Sequence, residues 1–73
     1  GKKIIPELKV LYPSVKSVSI SHALELTVDS VRIDTVTLAV LRFGRHPDTH
    51  EKEKITEWLK ARTGSKQLRL IAE

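Results

Sequence analysis

The sequence predicts an α+β fold: a two-layer sandwich of order α-β-β-α-β, with a three-stranded mixed sheet and both helices on one face. Three observations support this prediction. One segment alternates strictly between apolar and polar residues, a second is apolar on both alternating sides, and a third has helical periodicity between clear capping residues. A chain of 73 residues has room for one modest core, so we treat residues 1–73 as a single domain.

The first predicted element is an amphipathic helix over residues 3–12. Pro6 suits a first-turn position, so either the helix starts near Pro6 or it is the remainder of a longer helix. Pro13 ends the helix because proline cannot continue it. Glu7 and Lys9 are expected to face solvent. The apolar residues that recur at helical spacing are expected to face the core, namely Ile4, Ile5, Leu8, Leu11 and Tyr12.

A hairpin of two strands is expected next. From residue 18 to residue 28 the even positions hold apolar residues and His22, and the odd positions of residues 16–28 hold serines and other small or polar residues. This pattern is typical of an antiparallel strand with one buried side. The length of this strand indicates a bulge or a bend near residues 22–24. Residues 29–33 supply the turn, and residues 34–43 form the central strand, which is apolar on both sides.

The second helix and the third strand complete the sheet. Asp48 is a helix N-cap with Glu51 at capping-box spacing, residues 49–63 are helical, and Gly64 suits a left-handed C-terminal position. Residues 67–72 alternate again and read as a strand. Because a helix connects the second and third strands, we expect them to be parallel with a right-handed crossover.

The alternation also predicts which side of the sheet the helices cover. We expect them to cover the even-numbered side: Val18, Ile20, Val36, Leu38, Val40, Leu68 and Leu70. The opposite side would be open and partly apolar, and its predicted interaction residues are Ala39, Leu41, Phe43 and Ile71. This predicts a protein partner, either a second copy or the rest of a parent chain, unless another segment covers the face. Unpaired strand edges offer a second route to association.

The sequence contains little catalytic or ligand-binding chemistry. It has no cysteine, and its three glycines are separated, so neither a thiolate site nor a Gly-rich phosphate loop is predicted. His46 and His50 flank a proline that disrupts helical ligand spacing, and Ser21 and His22 point to opposite sides of a strand. We therefore predict no enzyme activity, no cofactor, no metal and no small-molecule substrate.

The formal net charge of +4 raises a nucleic-acid alternative. The element order is similar to that of one class of KH-type RNA-binding domains. Those domains clamp the backbone with a G-x-x-G loop, and neither Gly44 nor Gly64 has that spacing. An RRM-like sheet needs exposed aromatic residues, for which Phe43 is the one candidate. The basic residues are spread along the chain, so weak RNA binding is the alternative and not the main prediction.

Four segments carry a resemblance to a known family: residues 7–13, residues 15–20, residues 34–36, and residues 54–62 with their Trp58-Leu59-Lys60 centre. They resemble the soluble C-terminal region of a family of uncharacterised bacterial multi-pass membrane proteins, a conserved hydrophobic-domain family. The element order also resembles BON modules and the ring-building motifs of bacterial secretion systems. The resemblance implies an accessory domain of a parent anchored in the inner membrane, with no catalytic residues to carry over.

The ends of the chain look cut, and we expect a domain excised from a longer protein. No apolar run approaches the roughly 20 residues that span a bilayer. Any membrane contact is therefore expected through the parent protein alone.

Overall fold

The computed structural model describes residues 4–73. It contains α1 (Ile4–Leu11), β1 (Val15–Thr27), β2 (Arg32–Phe43), α2 (Thr49–Thr63) and β3 (Leu68–Ala72). The α+β class and the α-β-β-α-β order are therefore confirmed. The predicted start of the first helix at Lys3 lies outside the described residues.

The sheet has the order β1-β2-β3. β1 and β2 are antiparallel and β2 and β3 are parallel, so the predicted mixed sheet is confirmed, with α2 as the crossover. Of the bulge or bend expected near residues 22–24, the bulge is wrong, because pairing is continuous from Ser17 to Thr27 and the register shift falls between Val15 and Ser17. Residues 23–36 of the hairpin pair only with one another, so this part of the sheet can twist without a bulge.

The ends of α2 form as predicted. Asp48 is extended (φ −84°, ψ 171°), and its Oδ1 accepts a hydrogen bond of 2.7 Å from the backbone N–H of Glu51. Gly64 is left-handed (φ 72°), and its N–H donates to the carbonyl of Lys60 at 2.9 Å. Both contacts satisfy backbone groups that a helix end leaves without a partner.

One core joins both helices to one side of the sheet, which we call the core face; the other side is the outer face. The buried cluster of this core comprises Ile4, Leu8, Ala39, Leu41, Ile55, Leu59 and Leu68. Beside it, Tyr12 and Trp58 make an edge-to-face contact with their ring centroids 6.4 Å apart. The guanidinium of Arg62 lies 5.6 Å from the Trp58 ring centroid and also pairs with Glu7, which links the helices.

The predicted parity of the central strand is wrong. Val18 pairs with Leu41 and Ile20 with Ala39, so each even-numbered residue of β1 lies beside an odd-numbered residue of β2. Paired residues share a side of the sheet. The core face of β2 therefore carries its odd-numbered residues, and the outer face carries Val36, Leu38 and Val40. On β1 and β3 the even-numbered residues do face the helices, as expected.

α1 covers less of the sheet than predicted. Ile4 and Leu8 are buried, whereas Ile5 is 70% exposed and Leu11 is also exposed. The helix is eight residues long and contacts the core along one narrow stripe. Ile4 and Leu8, which are four residues apart, lie on this stripe. Ile5 follows Ile4 by about 100° around the helix axis and so points away from that stripe.

Candidate interaction surface

The β1–β2 hairpin extends beyond the rest of the sheet. β3 pairs only with Thr37–Leu41 of β2, so residues 23–36 continue as a ribbon of two strands, which we call the hairpin arm. A strand of 13 residues is about 40 Å long at the usual rise per residue. The molecule measures 40 × 25 × 17 Å, so the hairpin sets its long dimension.

One side of the hairpin arm is apolar and uncovered. Leu24 pairs with Thr35 and Leu26 with Ile33, and all four continue the core face. α1 spans only about 12 Å, so it ends before reaching this part of the sheet. Leu24, Leu26 and Ile33 are 67% exposed on this side, and Val28 (85%) and Val31 (89%) are exposed in the turn at the tip, which makes five exposed aliphatic side chains on the arm.

The other side of the hairpin arm is charged. Arg69 of β3 donates two hydrogen bonds to Glu25, at 2.9 and 3.3 Å, and Arg32 pairs with Asp34 at 3.0 Å. The Arg69–Glu25 contact passes across Val36, which is only 3% exposed although it lies on the outer face. This contact connects the base of the arm to the third strand, which supports a ribbon that has only two strands.

The tip of the hairpin arm contains a strained residue. Val31 has φ 50°, a left-handed conformation that is costly for a β-branched residue, and its N–H donates to the carbonyl of Val28 at 3.4 Å. Glycine or asparagine would fit this turn better. The Val31 side chain contributes nothing to the core, because it is almost fully exposed. The fold therefore gives no reason for a valine at this position.

The structure does not assemble the predicted interaction face. Ala39 and Leu41 are 0% exposed in the core, and Phe43 packs against it. Ile71 alone of the four lies on the outer face, beside Val40, and is 46% exposed. The rest of that face carries Val36, Leu38 and Val40 of β2, which are buried or half-buried, together with exposed serines of β1 and exposed arginines of β2 and β3. The even-numbered residues of β2 therefore replace the predicted Ala39, Leu41 and Phe43 on this face, and they bring the charged Asp34 and Arg42 with them.

A polar cluster that sequence reasoning missed lies at the base of the arm. The buried hydroxyl of Thr37 donates to Ser65 Oγ at 2.8 Å, and Ser65 Oγ donates to the carbonyl of Gln67 at 3.1 Å. His22 Nδ1 lies 3.4 Å from Thr37 Oγ1. The Thr37 proton is thus directed to Ser65 Oγ and the Ser65 proton to a backbone carbonyl, so neither hydroxyl donates to His22. The cluster therefore joins β1, β2 and the α2–β3 loop and does not activate a nucleophile.

The histidine-rich loop is a capping segment. His46, Asp48 and His50 are exposed, and Asp48 is the N-cap of α2. Across residues 4–73, no group of three or more potential ligands is placed to hold a metal ion. A bilayer-spanning helix is likewise not found in the part of the chain that the structure describes.

The basic charge is dispersed. Five lysine or arginine side chains form ion pairs: Arg32, Arg45, Lys60, Arg62 and Arg69. The other six within residues 4–73 lie on α1, β1, β2, α2 and the α2–β3 loop. A nucleic-acid-binding surface usually concentrates such charge on one face. The distribution therefore adds no support to the RNA alternative.

Comparison with known proteins gives one match. A family model described as a domain of unknown function, DUF8492, matches residues 1–73. No curated protein and no solved structure matches the chain.

Proposed function

The chain belongs to the DUF8492 family of domains of unknown function, and we propose from its structure that it is a non-enzymatic interaction domain. Its contact surface is the apolar side of the hairpin arm, and its partner is another protein chain. The observation that carries this proposal is the set of five aliphatic side chains that are 67–89% exposed on one projecting ribbon. Apolar patches of this kind typically mark contact sites.

The energetics favour a partner for this surface. Fully burying an aliphatic side chain gains about 1.5–3 kcal/mol, so five such residues offer several kcal/mol on contact with an apolar partner. None of that energy contributes to folding while the residues stay in water. A domain of this size has a stability on the order of 3–5 kcal/mol. The burial energy that these residues offer to a partner is therefore comparable with the stability of the whole fold.

The strained tip supports the same proposal. A left-handed valine costs on the order of 1–2 kcal/mol, and its side chain makes no compensating contact within the domain. Binding would compensate for this cost if the Val31 side chain enters a pocket of the partner.

The wider setting remains part of this proposal. We place the domain as an accessory module of a larger, membrane-bound bacterial protein, which it helps to assemble or to connect with other chains. The support is the sequence resemblance carried by residues 7–13, 15–20, 34–36 and 54–62.

Site-specific photo-crosslinking tests the contact surface. A photoreactive amino acid replaces Leu26 on the hairpin arm or, as a matched control, the exposed Glu53 of α2, in the cells that normally make the protein. We expect a protein adduct from position 26 and little or none from position 53. The proposal is wrong if position 26 yields no adduct, or yields no more than position 53.

A further inference from the structure

The long edge of the sheet is formed by β1, and it is open. Within residues 4–73, β1 pairs only with β2, so its outer backbone groups have no strand partner. Natural edges are usually protected by charged residues, proline or bulges. β1 contains only Lys16 and Glu25 as charged residues, near its two ends, and its register shift lies at the start of the strand. Residues 17–24 are therefore an unprotected edge.

The direction of the outer backbone groups follows from the ladder. The N–H groups of Thr37 and Phe43 donate to the carbonyls of Gln67 and Glu73, at 2.8 and 3.1 Å. Odd-numbered residues of β2 thus bond towards β3, and its even-numbered residues bond towards β1. Even-numbered residues of β2 pair with odd-numbered residues of β1. The even-numbered residues of β1 therefore direct their N–H and C=O groups to the free edge.

We propose that the chain forms a homodimer by antiparallel pairing of two β1 edges, centred on His22. This inference rests on the proposed function and names its partner as a second copy. The pairing joins even-numbered residues to even-numbered residues, which is what the outward backbone groups require. It produces one continuous sheet of six strands with the helices of both copies on the same side.

The side chains favour this register. Centring on His22 places Ile20 beside Leu24 of the second copy, and Val18 beside Leu26 of the second copy. Centring on Ser21 instead would place Ile20 beside His22 and Leu26 beside Lys16. The first arrangement pairs aliphatic residues with one another, and such cross-strand pairs stabilise a sheet.

A groove between α1 and β1 provides room for the arm of the second copy. It has a volume of about 410 Å³, and only α1 and β1 residues line it, including Ile5, Leu8, Val15 and Val18. It therefore opens towards the free edge. In the proposed register Leu26 of the second copy lies beside Val18 at this opening, and the exposed Ile5 can cover it.

The apolar area suits a weak dimer. Each copy contributes Ile5, Ile20, Leu24 and Leu26, and burial of about 80 Å² from each gives about 600 Å² for the pair. Interfaces are a little over half apolar, so this corresponds to about 1,000 Å² in total, near the lower limit for a specific contact. We therefore expect a dissociation constant in the micromolar range.

Cysteine crosslinking tests the register, because the chain has no cysteine of its own. Cα atoms opposite each other in a hydrogen-bonded antiparallel pair are about 5.5 Å apart, within disulfide range. His22→Cys should crosslink to itself on oxidation. Ile20→Cys and Leu24→Cys should not crosslink alone, since each is about 13 Å from its own copy, but should crosslink when mixed. The register would be overturned if Ile20→Cys or Leu24→Cys crosslinks on its own while the mixture of the two does not.

Sedimentation equilibrium tests the dimer itself. We expect Ile20→Lys to weaken association by about tenfold or more, and Glu53→Ser, on the exposed side of α2 and away from the pairing, to leave it unchanged. A monomer up to about 500 µM, with no disulfide in any cysteine variant, overturns the homodimer. An adduct of Leu26 with a different protein in cells would then leave the proposed function standing. No adduct at Leu26 would remove the proposed function separately.

Discussion

Leu41 and Leu38 allow a direct test of which side of β2 faces the helices. Leu41 is 0% exposed in the core cluster, while Leu38 is half-buried on the outer face. Leu41→Ala removes buried methylene groups at about 0.8 kcal/mol each and leaves a cavity, so we expect a loss of about 3 kcal/mol. Leu38→Ala removes atoms that are partly in water and leaves no closed cavity, so we expect about 1 kcal/mol.

Urea denaturation followed by Trp58 fluorescence measures both losses, because Trp58 packs against the core and against Tyr12. With a denaturant slope of about 1 kcal/mol per molar, Leu41→Ala should lower the urea midpoint by about 3 M and Leu38→Ala by about 1 M. Leu38→Ala is the matched control, with the same residue type on the same strand. An equal or larger loss for Leu38→Ala would refute the assignment of faces.

Two further predictions concern left-handed residues. Val31→Asn should raise the melting temperature by about 4–8 °C, because asparagine tolerates the φ of 50° and about 1 kcal/mol of strain is relieved; an unchanged or lower melting temperature would contradict this. Gly64→Ala should lower the melting temperature by a similar amount, because the left-handed backbone at φ 72° costs alanine about 1 kcal/mol. No steric clash adds to this cost, since an added Cβ meets nothing within 4 Å. Calorimetry of both variants measures these shifts, and no loss for Gly64→Ala would show that the helix end does not need its left-handed turn.

Local chemistry let the sequence predict the elements. Asp48 and Gly64 bracket α2 because their side-chain oxygen and conformational freedom act on backbone groups a few residues away. Alternation along β1 identified its apolar side correctly, since the opposite side is mainly small and polar, with serine at residues 17, 19 and 21. The element order then required an antiparallel hairpin and a parallel crossover.

The side of β2 that faces the helices could not be read in this way. β2 is apolar on both sides, so its own alternation does not distinguish Leu38 from Leu41. The register with β1 decides it, because moving the pairing by one residue reverses every side chain of the strand. The predicted interaction face at Ala39, Leu41 and Phe43 was misplaced for this reason.

The sequence by itself determined the five elements, their order and the capping of α2, because those depend on residues close together in the chain. Only the tertiary structure decided which apolar residues are buried. Leu24, Leu26 and Ile33 share the pattern of core residues, yet they are exposed because the hairpin is longer than the helices and third strand that cover it. How much of the hairpin the helices and the third strand cover depends on how the elements pack in three dimensions. The local sequence pattern does not encode this.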